Sequence, residues 1–165
     1  MTTNPMNLFG EELTPATKKI TLQAIEARFH REVVREDAPA WLSKRFTSAQ
    51  DVFEIFRDLR LEAKEQFVAL HLDGKNRIIC LDRVSVGSLN QSIVHPRELF
   101  KTACLSNAAA IILIHNHPTG DTTPSREDLN ITRRLKEAGE ILGIKILDHI
   151  IIGDGFHSFV EHGLL

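Results

Sequence analysis

Ala108-Ala109-Ala110-Ile111-Ile112-Leu113-Ile114-His115-Asn116-His117-Pro118 decides the fold. Residues 108–114 are an unbroken apolar run of strand length, which predicts a central strand covered on both faces. Polarity returns abruptly at His115, where such a strand would leave the core. Pro118 and Gly120 then turn the chain into a loop rich in Pro, Gly and Thr that ends at Pro124. Ser125-x-x-Asp128 follows as a capping box. The helix it opens runs to about Leu142, where Gly143 stops it.

Working outward, Pro96 opens an earlier helix at its first position, with Leu99, Phe100 and Ala103 on the inner face. Ser48-x-x-Asp51 is a second capping box, and Val52, Phe53, Ile55, Phe56 and Leu59 follow at helical spacing. Phe67-Val68-Ala69-Leu70 reads as a buried strand, which Asp73-Gly74 turns into a second one over residues 77–81. Downstream, residues 144–152 form a further strand, and Gly153-Asp154-Gly155 turns into a last short one over 156–160. The order helix, strand, strand, helix, strand, helix, strand, strand fits an α/β domain, a mixed β-sheet flanked by helices. We expect this domain to span residues 46–165. Before it come a flexible tail (1–19, with Pro5, Gly10 and Pro15) and an arm and linker (20–45). Ile20, Leu22, Ile25 and Phe29 mark the arm as extended, although Ala24-Ile25-Glu26-Ala27 also suits a helix. Pro39 marks the linker, and Trp41 is read as an anchor for the arm.

The chain of 165 residues can bury a core without staples. Its net charge of −2 offers no general attraction to nucleic-acid backbones or anionic membranes. No apolar run approaches the roughly 20 residues needed to span a bilayer. The N-terminus has no charged-then-apolar signal pattern, and Cys80 and Cys104, each inside an apolar stretch, read as small buried filler. Together these features point to a cytosolic protein.

The chemistry gathers at the end of the apolar run. In extended chain, residues two apart project to the same side, so His115 and His117 can converge. The loop is long enough to bring the start of the next helix, with Asp128, back to them. Two imidazoles and a carboxylate are a ligand set for a catalytic zinc with its fourth position open to water. Bound zinc can lower that water's pKa to about 7, which is hydrolase chemistry. Asp128 also reads as a simple capping residue, and its two oxygens let both readings stand. Such a site needs a general base that does not bind the metal. Glu65, at the mouth of the strand beginning at Phe67, is better placed than Glu62; the alternative for either is a solvated strand-end carboxylate.

Glu65, His115-x-His117-Pro118 and Ser125-x-x-Asp128 together resemble the signature of the JAMM (MPN+) metalloproteases. The chain is most similar to the RadC-like branch of that family. The stretches that carry the likeness begin with Asn90-Gln91-Ser92-Ile93-Val94-His95-Pro96-Arg97-Glu98 and Asn107-Ala108-Ala109-Ala110-Ile111-Ile112. Further on are His115-Asn116-His117-Pro118-Thr119-Gly120-Asp121 with Pro124-Ser125, and Leu147-Asp148-His149-Ile150-Ile151-Ile152-Gly153-Asp154-Gly155. The resemblance implies a cytidine-deaminase-like α/β fold holding one zinc per chain on His115, His117 and Asp128. It implies that Glu65 activates the water and protonates the leaving amine, and that Ser125 stabilises the oxyanion. The implied substrate is a protein or peptide, cut at a peptide or isopeptide bond. Two departures stand out. Asn116 occupies the place between the histidines where the family's deubiquitinases usually carry Ser or Thr. Residues 1–45 also leave no room for the helix-hairpin-helix region of longer RadC relatives.

Three other readings compete. A DNA-repair accessory or nucleic-acid binder is disfavoured by the acidic balance, and Arg133, Arg134 and Lys136 read as a solvated helix face. A non-catalytic scaffold would leave the full ligand set and Glu65 without a purpose. A zinc deaminase would want His-x-Glu and a Cys-x-x-Cys pair, both absent. His71, His95, His149 and His157 read as ordinary hydrogen-bonded histidines, with His149 the one best placed to support a ligand from behind. Gly153-Asp154-Gly155 is no phosphate loop, since no helix opening on Lys-Ser/Thr follows it.

Overall fold

The computed structural model describes Met6 and residues 8–10, 21–26, 28–31, 48–87 and 94–165. Pro5, Pro15, Ile20, Ala27, the linker with Pro39 and Trp41, and Asn90-Gln91-Ser92-Ile93 lie outside the described residues. Residues 21–26 and 28–31 form neither helix nor strand, and Leu22, Ile25 and Phe29 are exposed.

The elements are α1 (Ala49–Phe56), a short 3₁₀ turn (Arg57–Leu61), β1 (Glu65–Leu72), β2 (Ile78–Gly87), α2 (Pro96–Leu105), β3 (Ala110–Asn116), α3 (Arg126–Leu142), β4 (Lys145–Ile152) and β5 (Phe156–Ser158). They build one five-stranded sheet in the order β2-β1-β3-β4-β5. The β3–β4 pair is parallel and the other three pairs are antiparallel. The sheet is therefore mixed, as the element order predicts, with β3 at its centre. Parallel neighbours need a crossover, and α3 supplies it.

The alternation along β3 divides the core in two. Ile112 and Ile114 face α1, where Val52 and Phe56 pack with Val68, Leu70, Ile150 and Ile152. Ile111 and Leu113 face α2 and α3, where Leu99, Phe100, Ala103 and Leu135 pack with Phe67 and Ala69. The same alternation continues past the apolar run, placing His115 on the α2/α3 side and Asn116 on the α1 side.

Both capping boxes form as expected, at Ser48–Asp51 and Ser125–Asp128. Gly143 ends α3 in the left-handed conformation, with φ of 72°. The loop after β3 and the turn after β4 touch backbone to backbone. Asp154 N–H donates to Gly120 O at 2.9 Å, and a Cβ on Gly153 would lie 2.2 Å from that same oxygen.

Three details depart from the sequence reading. The β1–β2 connection takes its left-handed residue at Asn76, with φ of 57°, rather than at a two-residue Asp73-Gly74 turn. The Asp73 carboxylate closes it by accepting from the amides of Lys75 and Arg77 and from Arg77 Nε. Second, β2 runs on to Gly87, well past Leu81, pairing with β1 as far as Glu65. Third, Cys104 is exposed rather than buried filler, while Cys80 is half-buried. With Leu99, Phe100 and Ala103 turned inward, one further step of about 100° carries residue 104 to the solvent side of α2. No helix among the described residues is long and apolar enough to cross a membrane.

Candidate metal centre

His115, the sixth residue of β3, is 4 % exposed. His117 stands just beyond the strand, held in line because its N–H donates to Ile152 O at 2.8 Å. Asp128 is the third residue of α3, and the capping box fixes it there. Ser125 Oγ accepts from Asp128 N–H at 3.1 Å, while Ser125 N–H donates to Asp128 Oδ2 at 2.8 Å. Strand end, loop and helix start thus bring the three side chains together. His115 Nε2 lies 2.9 Å from His117 Nε2 and 3.2 Å from Asp128 Oδ1, and His117 Nε2 lies 3.4 Å from Asp128 Oδ2. Among the described residues this is the one group of three or more ligand-type side chains whose donor atoms lie within 4.8 Å of one another. A tetrahedral ion with donors about 2.0–2.1 Å away spaces them roughly 3.3–3.4 Å apart, so the donor set fits zinc.

The outer ring nitrogens have other partners. His117 Nδ1 lies 2.6 Å from Asp121 O; a carbonyl only accepts, so Nδ1 carries the proton there. His115 Nδ1 lies 2.8 Å from His149 Nε2. Phe67 stacks on His115 with ring centroids 5.9 Å apart and an interplanar angle of 13°.

Electrostatics tie the cluster together. Burial pushes the Asp128 carboxyl up, but the neighbouring His115 and His117 rings outweigh it and hold the group far below the usual carboxylate range. The Asp128 hydrogen bond raises His117 above its ordinary value, against burial, with smaller help from Asp121 O and the charges of Asp128 and Glu65. Burial drives His149 well down, so its ring is neutral. A cation must displace the proton from His117, so affinity for zinc is expected to fall as pH drops through the raised His117 value. The expected slope is about tenfold per pH unit, read by chelator competition between pH 8 and pH 6.

Glu65 is the first residue of β1 and is half-buried, whereas Glu62 is exposed. The antiparallel register that sets Phe67 opposite His115 brings Glu65, two residues earlier, level with His117, two residues later, and its charge is the smallest of the influences that raise His117. Ser125 is also adjacent, although its hydroxyl proton is given to Asp128 Oδ2 at 2.6 Å. Of the four histidines read above as ordinary, His95 caps α2 by accepting from Arg97 N–H at 3.2 Å. His71 pairs with Ser106 Oγ at 2.8 Å, and His157 stacks on His162 with centroids 3.9 Å apart. Among the described residues, His149 is the further histidine that reaches the cluster.

Asn116 has a role that the sequence reading missed. Its fully buried side chain accepts from Gln66 N–H at 2.7 Å and donates to Lys64 O at 3.2 Å and Glu62 O at 3.5 Å. The β1–β3 ladder ends at Phe67 and His115, so this amide continues the pairing and clamps the backbone on either side of Glu65. Asn116→Ser is expected to leave the buried Gln66 N–H unpaired and to cost about 1–3 kcal/mol. Urea unfolding and faster hydrogen exchange at the Gln66 amide are the measurements that check it.

A mixed sheet with two histidines at the end of its central strand, and an acidic helix start folded against them, is the architecture of a JAB/MPN domain. Residues 46–164 match the RadC-like JAB domain, and the chain belongs to that RadC family. It is similar to the UPF0758 protein of Geotalea uraniireducens, with 64% identity over 124 residues, 74% of this chain and 54% of the relative. It is 66% identical to the UPF0758 protein of Pelobacter propionicus over 123 residues, 73% of this chain and 54% of the relative. The UPF0758 protein of Syntrophotalea carbinolica is 47% identical over 153 residues, 90% of this chain and 65% of the relative. The chain spans about half the length of most of the curated relatives it matches.

Proposed function

We propose that this domain is a zinc-dependent hydrolase that cleaves an amide bond, in a peptide or isopeptide. One observation carries the reading. His115 Nε2, His117 Nε2 and the Asp128 carboxylate converge at 2.9–3.4 Å, while His117 Nδ1 is occupied by Asp121 O and His115 Nδ1 by His149. These three residues would hold one Zn²⁺ per chain, and the ion would supply Lewis acidity and a water acidic enough to react at neutral pH.

The chain's own groups would do the rest. Glu65, beside His117, takes a proton from the attacking water and returns it to the leaving amine. Ser125 turns its hydroxyl from Asp128 Oδ2 to donate to the oxyanion as it forms. Asn116 holds the segment that presents Glu65. Residues 46–165 would be the working unit behind the 1–19 tail and 20–45 arm, acting in the cytoplasm on a protein or peptide. The test is a screen of zinc-loaded protein against a peptide and isopeptide library. Cleavage that stops with a chelator and returns with zinc is the expected result; no cleavage of any member would count against the reading.

A further inference from the structure

Behind the cluster, His115 and Asp128 are joined by a path through two buried residues outside the ligand set. His149 lies on β4 and is 0% exposed, and Thr132 lies on α3 and is 1% exposed. His115 Nδ1 is 2.8 Å from His149 Nε2, His149 Nδ1 is 2.6 Å from Thr132 Oγ1, and Thr132 Oγ1 is 2.6 Å from the Asp128 carbonyl oxygen. The path thus begins on one member of the cluster and ends on another.

Its direction follows from which groups can donate. A carbonyl only accepts, so the Thr132 hydroxyl gives its single proton to Asp128 O, the back-bond common for helical Thr. The hydroxyl oxygen is then an acceptor for His149 Nδ1–H. A neutral imidazole has one N–H, so His149 Nε2 accepts and His115 Nδ1 donates. His115 Nε2 is left bare, facing His117 Nε2 and Asp128. His117, once it gives up the proton shared with Asp128, reaches the same state through Asp121 O.

Packing fixes the relay in place. Phe67 and Phe159 lie against the His149 ring, with centroids 5.4 Å and 4.6 Å away. The residues that follow it in β4, Ile150, Ile151 and Ile152, are buried and apolar. A polar ring in such a strand is costly unless both nitrogens are bonded, and here both are.

We propose that Thr132 and His149 are positioning residues: Thr132 orders the protons, and through His149 it fixes His115 in the one tautomer that can ligate a cation through Nε2. The proposal rests on the reading that His115, His117 and Asp128 hold zinc. Imidazole ¹⁵N chemical shifts and zinc affinity by chelator competition, using Zn²⁺ alone, test it together. Wild-type protein should carry the proton on Nδ1 of both His149 and His115. Thr132→Val should weaken zinc about 10–100-fold, the range seen when a ligand's supporting partner is lost, and Thr132→Ser should restore it. A wild-type His149 protonated on Nε2, or a folded Thr132→Val with unchanged affinity, would overturn the relay. The wild-type shifts need no variant, so a Thr132→Val that fails to fold leaves the proposal open to refutation. Wild-type protein that shows these tautomers but binds no zinc would uphold the relay and sink the metal reading, so the two failures are distinct.

Discussion

Glu65→Gln is expected to lower hydrolysis by about 10²–10⁴-fold while zinc stays bound, because it removes a proton carrier and no metal ligand. Gln has nearly the same size and can keep the half-buried place at the start of β1, so the fold should be unaffected. The measurements are the turnover of whichever amide substrate the library yields and the zinc content of the purified variant. Glu62→Gln is the control. Glu62 is exposed, and only its backbone oxygen contacts Asn116, so the control should keep near wild-type turnover. An active Glu65→Gln would remove Glu65 from the mechanism.

His117→Ala should abolish both hydrolysis and stoichiometric zinc binding, since two protein donors do not make a tight site where three do. The variant should still fold. The His117 side chain sits at the edge of the cluster, 14% exposed, and contributes nothing to either apolar core. Thermal unfolding separates loss of metal from loss of fold. Zinc at about 100 times its dissociation constant stabilises a protein that binds it only when folded by about 2.7 kcal/mol. The melting temperature of the wild type should therefore rise with zinc, and that of His117→Ala should not.

How far the sequence reached depended on whether a feature was local. The apolar run into His115 defined β3, and Ser125, Asp128 and Gly143 bounded α3, because caps and strand periodicity are written in neighbouring residues. The end of β2 was not legible past Leu81, since Asp82 and Arg83 break the apolar pattern while the pairing with β1 continues. Cys104 misled because an apolar stretch does not say which way a helix is turned. At the site, the spacing of His115 and His117 and the capping position of Asp128 were enough to propose the cluster. His149 was singled out as a support for the ligands, though its 34-residue separation from His115 hid which ligand it meets; the Asn116 clamp, which joins residues 50 to 54 positions apart, was not foreseen. Such partners are brought together only by the sheet order, with β3 between β1 and β4.

All of this chemistry depends on one zinc ion held by His115, His117 and Asp128. Crystals of zinc-loaded protein, measured on both sides of the zinc absorption edge, test it most directly. A single strong anomalous peak per chain is expected, within about 2.0–2.2 Å of His115 Nε2, His117 Nε2 and an Asp128 carboxylate oxygen. No peak there, or a peak held by other side chains, would contradict it.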